Sequence, residues 1–186
     1  MFKTLSYDIK EIIKLFEKGR TLELRGLSNR LIRESSMENN LTKAELGVIA
    51  YSLHKMQSKN HFVANKNWPK LMSSIISILQ EALFACEQNS EKNLFLKTNK
   101  VIKKIEQIDS NLGNYAQNIY DKARVKQASL AYSYGLSISQ AAELTGADKK
   151  ELQDYIGVTT MHDEEKEVKS ISERVKELRN FVSGVN

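Results

Sequence analysis

Lys149, Lys150 and Gln153 are the side chains in this chain best suited to gripping nucleic acid. Two ammonium groups can contact phosphate or guanine, and an amide can pair with the N6 and N7 edge of adenine. All three fall in the segment LSISQAAELTGADKKELQDYIG, Leu136 to Gly157. Ser137 with Gln140, and Asp148 with Glu151, have the spacing of two helix N-caps. Between them, Ala142 supplies the small side chain that two closely crossing helices need, and Gly146 stands where a turn commonly takes a positive φ. Leu152 and Tyr155 are spaced to point back at Ile138, Ala141 and Leu144. The pattern predicts a helix-turn-helix over 137–157. Its second helix would present Lys149, Lys150 and Gln153 to the major groove of duplex DNA.

Charge argues for a modest affinity. Asp148, Glu151 and Asp154 share the second helix, and residues 119–157 hold five basic and five acidic residues. Phosphate neutralisation dominates DNA affinity, so this module alone should bind weakly. The competing reading is a helix-turn-helix kept as a structural or protein-docking unit. The net charge of +5 comes from elsewhere: residues 1–110 carry 18 Lys and Arg against 12 Asp and Glu, and residues 111–186 carry 10 against 11. Lys97, Lys100, Lys103 and Lys104, and separately Arg20, Arg25, Arg30 and Arg33, are candidate phosphate-facing sets. The commoner role of such residues is a solvated helix face. RNA binding through this basic half is a third reading.

The longer run SLAYSYGLSISQAAELTGADKKELQDYIG, Ser129 to Gly157, resembles the helix-turn-helix of prokaryotic and archaeal regulators. It is similar to small antitoxin-type proteins, in which a helix, a glycine turn and an "AAELxG" unit precede a capped helix. That resemblance implies DNA binding, often with autoregulation, and pairing with a ribonuclease toxin of the PIN type.

A second surface with binding chemistry lies at the C-terminal end. Val168, Ile171, Val175, Leu178 and Val182 recur at alternating spacings of three and four, the a/d stripe of a helix that packs on another. Charged residues such as Glu173, Lys176 and Arg179 fill the other faces. Such a helix either docks with a protein partner or a second copy of the chain, or folds back on its own bundle.

Chemistry for catalysis is sparse. His54, His61 and His162 have no carboxylate or cysteine that completes a zinc set. Cys86 sits in an apolar helix with no histidine beside it in sequence, as a core thiol would. There is no glycine-rich phosphate loop, no GxSxG and no HExxH. No enzymatic activity, cofactor or metal is therefore expected. The N-terminal residues lack the features of a signal peptide, and the most apolar stretch, Leu71 to Cys86, is broken by Ser73, Ser74, Ser77, Gln80 and Glu81. A soluble cytoplasmic protein is expected.

These residues must be positioned by helices. One proline and eight glycines in 186 residues are too few turn formers for a strand-rich fold, so an all-α protein is predicted. Apolar residues at helical spacing mark segments near 5–18, 21–36, 42–58, 68–88, 91–109 and 112–134. Thr42 with Glu45 is expected to cap the third. The fourth is greasy on most faces and is expected at the centre of the bundle. The predicted organisation is a helical bundle over 1–111, a helix-turn-helix subdomain over 112–157, a linker over 158–162 and a terminal amphipathic helix over about 163–182. The function expected from it is a dimeric DNA-binding regulator. The alternative is an antitoxin-like or adaptor protein whose terminal helix holds a partner.

Overall fold

A computed structural model of the protein describes residues 2–112 and 119–164, with side chains as far as 158. Every regular element among them is an α-helix. In order these are α1 (Phe2–Glu17), α2 (Thr21–Glu38), α3 (Leu41–Gln57), the single turn α4 (Asn60–Val63), α5 (Trp68–Glu87), α6 (Glu91–Leu112), α7 (Ile119–Ser133), α8 (Ile138–Thr145) and α9 (Lys149–Glu164). Met1–Leu152 form one compact unit, and Gln153–Asn186 are divided from it as a second. No helix among the described residues is long and apolar enough to cross a membrane.

The centre of the first unit is α3, not the greasy helix over 68–88. Leu46 to His54 are buried without interruption, and α3 packs on α1, α2, α4, α6, α7 and α8. By contrast α5 leaves Phe84 64% exposed, along with Ser73, Ser77 and Gln80. The reason is steric. A Cβ on Gly47 would lie 3.0 Å from Ile32 Cδ1, so with any larger residue the Ile32 side chain would have to give way where α2 crosses. Ser28 Oγ uses that proximity to donate to the Gly47 carbonyl at 2.7 Å. Small and polar residues make α3 look less apolar than α5, yet they permit neighbours on every side.

Two further expectations are corrected. The N-cap of α3 is Asn40, whose side chain accepts from the Lys43 amide at 3.0 Å, while Thr42 is already helical. Asn39 takes φ +50 and closes α2, which moves the start of α3 upstream of the Thr42–Glu45 pair. The predicted linker over 158–162 is helical, because α9 continues through Gly157 to Glu164. A helical glycine costs only about 1 kcal/mol, and no proline follows to stop the helix.

A chain of charges ties α1, α2 and α3 together. Asp8 is fully buried and accepts from Arg30 at 2.8 Å; Arg30 also donates to Glu34 at 3.0 Å. Glu34 in turn meets Lys43 at 3.2 Å, and Lys43 meets Glu38 at 2.9 Å. Burial raises the Asp8 carboxyl above its ordinary value against the pull of Arg30.

Candidate nucleic-acid interface

Local devices build the segment from α8 through the turn to the start of α9. Ser137 Oγ accepts from the Gln140 amide at 3.2 Å, and Gln140 Oε1 accepts from the Ser137 amide at 2.9 Å, a complete capping box at the start of α8. At its other end Gly146 takes φ +69, and the Gly146 and Ala147 amides both donate to the Ala142 carbonyl. An L residue with a Cβ would be strained in that conformation. Asp148 Oδ1 then accepts from the Glu151 amide at 2.9 Å and caps α9. Ala141, Ala142, Leu144 and Leu152 are buried, so small side chains and one leucine from α9 fill the crossing.

Lys149, Lys150 and Gln153 are exposed on the first turns of α9. At 100° per residue, Lys149, Gln153 and Lys150 fall about 60°, 100° and 160° from the buried Leu152 on one side, whereas Glu151 and Asp154 lie on the other. Lys149 and Gln153 thus share one flank and Glu151 the other, while Lys150 lies nearly opposite Leu152, about 40° from Asp154. A bare charge count hides this, because it sums over the circumference of the helix.

Arg124 is a residue the sequence reading missed. Its guanidinium lies 4.6 Å from the ring centroid of Tyr120, one helical turn earlier, and 3.6 Å from Asp121. It also approaches the turn: a Cβ on Gly146 would lie 3.4 Å from Arg124 Nε. Tyr120 is 1% exposed, and burial pushes its phenol far above the ordinary value. On α3, burial likewise raises the Glu45 carboxyl, against the pull of Thr98 and the charge of Arg124. The spacing Tyr120, Asp121, Arg124 signals local pairs on one helix face. Nothing in the sequence signals the contact across to Gly146.

Several basic side chains of residues 1–110 are paired with carboxylates within the bundle. Arg30 serves Asp8 and Glu34, Lys97 and Lys100 share Glu81, Lys10 meets Glu87, and Arg20 pairs with Glu23. Arg25, Arg33 and Lys103 remain exposed. His54 is buried, and its Nδ1–H donates to the Thr21 carbonyl at 2.8 Å. Burial lowers its pKa below 6.5, helped by Lys55 and Arg25 and opposed by that hydrogen bond. Cys86 is buried, with its thiol 3.2 Å from the Phe2 carbonyl, and burial raises its pKa. Among the described residues no three His, Cys, Asp or Glu side chains converge as metal ligands. The apolar stripe Val168, Ile171, Val175, Leu178 and Val182 lies outside the described residues, and the side chain of His162 is likewise not described.

No protein-family model, curated protein or solved structure matches this chain.

Proposed function

We propose that the protein is a DNA-binding regulator that reads duplex DNA with the first turns of α9 and acts as a dimer. The observation that carries this reading is the exposure of Lys149, Lys150 and Gln153 at the start of a capped helix that follows a glycine turn. In a helix-turn-helix those positions meet base edges and phosphates. A dimer is required because one small module contacts too few bases to select a site. Selection from a pool of random duplexes tests the reading. The expected product is an inverted repeat with half-sites about 10 bp apart. Gln153→Ala is expected to relax selection at one base per half-site, at a cost of about 1–3 kcal/mol. No enrichment of any sequence by the full chain would contradict it.

The second reading is an antitoxin-like or adaptor protein that binds a partner, such as a PIN-type ribonuclease, through its C-terminal helix. The a/d stripe from Val168 to Val182 favours it. Sedimentation equilibrium of the full chain separates a self-pairing stripe from one that serves a different protein. A dimer abolished by Ile171→Asp with Leu178→Asp means self-pairing, and a monomer leaves the stripe for another partner.

A further inference from the structure

The contacts of Arg124 point to a role beyond packing. It projects from the middle of α7, yet its guanidinium lies against the turn that joins α8 to α9. A Cβ on Gly146 would be 3.4 Å from Nε and 3.7 Å from both Cζ and Nη2. The guanidinium is thus close to both the turn and the Tyr120 ring, whose centroid lies 4.6 Å from Cζ. Tyr120 is 1% exposed and makes a fixed floor.

The charge suits the place. A helix ends in carbonyls that carry partial negative charge, and a cation there is favourable. Gly146 is the C-cap of α8, so the guanidinium sits at that negative end. Nε is buried and has no hydrogen-bond acceptor among the described residues. The Tyr120 side chain, by its ring and by a hydrogen bond, and the field of the helix end, more than a directed Nε bond, hold the group where it is. Asp121 at 3.6 Å steadies its outer edge.

We propose that Arg124 is the positioning residue of the helix-turn-helix. It pins the Gly146 turn to α7, and the turn fixes where α9 starts and hence where Lys149 and Lys150 point. The pin itself needs no nucleic acid; only its consequence for binding rests on the regulator reading above.

Hydrogen exchange of the full chain without DNA tests the pin. The reporters are the Gly146 and Ala147 amides, both bonded to the Ala142 carbonyl, with Leu46 to Leu53 of α3 as internal reference. Arg124→Met keeps length and apolar bulk but removes the charge. It is expected to speed exchange at the turn by about two- to thirtyfold over the reference amides, the range for a cation at a helix C-terminus. Arg124→Lys keeps the charge, loses the planar guanidinium, and should fall between. Equal acceleration of turn and reference amides, in either variant, would show a general loss of stability and overturn the proposal, as would no acceleration at all. Duplex affinity measured on the same proteins is a separate readout. A failure of the unsubstituted chain to bind DNA counts against the regulator reading and leaves the exchange result standing.

Discussion

Two helix pairs in this molecule depend on a glycine, and the two glycines do opposite work. Between α2 and α3, Gly47 is helical and gives up its side chain so that Ile32 and Ser28 can come close. Between α8 and α9, Gly146 leaves the helix with φ +69 and turns the chain. The first pair is joined by contacts between residues about twenty positions apart in sequence, such as Ser28 with Gly47. The second is made by bonds that span three to five residues: Ser137 with Gln140, Ala147 with Ala142, Asp148 with Glu151. Distant burial holds the bundle, whereas local capping shapes the passage from α8 to α9.

That contrast predicts where substitutions will hurt. Leu53→Ala, in the fully buried run of α3, is expected to cost about 2–5 kcal/mol and to lower the melting temperature of the whole Met1–Leu152 unit. A loss confined to a fraction of a kcal/mol would mean that α3 is not the centre. Ser137→Ala and Asp148→Ala each remove one cap and should cost about 0.5–2 kcal/mol. Exchange measurements should find the loss concentrated in α8 and the first turn of α9. If it spread evenly through α3, the local character of the module would be refuted.

The smallest effect concerns His54 and pH. Its folded pKa lies below the ordinary 6.5, so the unfolded chain binds the proton more readily. Its contribution to stability is present above pH 6.5 and is lost as pH falls through the lower folded value. Asp8 and Glu45 have raised values and run the other way, losing their contribution as pH rises through those values. Denaturant unfolding between pH 8 and pH 5 should show the His54 slope, and His54→Asn, which retains a donor for the Thr21 carbonyl, should flatten it. An unchanged slope in that variant would assign the pH dependence to other groups.

The same contrast explains how much the sequence revealed. The Ser137–Gln140 box, the left-handed Gly146 and the Asp148 cap are short-range devices, and each stands in the structure where its spacing placed it. The all-helical class was equally legible from the scarcity of turn formers. The centre of the bundle was not. Hydrophobicity favoured α5, while the decisive fact, that Gly47 faces Ile32, depends on how two helices cross. Arg124 was missed for the same reason, since its partners on α7 are visible in sequence and its contact with Gly146 is not. The fate of Arg30, Lys97 and Lys100 also needed the fold, because Asp8 and Glu81 reach them from other helices. The a/d stripe of the C-terminal residues stays a statement about sequence.

The central claim is that the exposed start of α9 meets DNA phosphates and bases. It is tested most directly by the salt dependence of duplex binding, measured for the full chain and for Lys149→Ala with Lys150→Ala. Each phosphate contact adds about 0.9 to the slope of log affinity against log salt. The account predicts a slope shallower by about 1–2 in the doubly substituted protein, with weaker binding at every salt concentration. Identical slopes and affinities for the two proteins would contradict it.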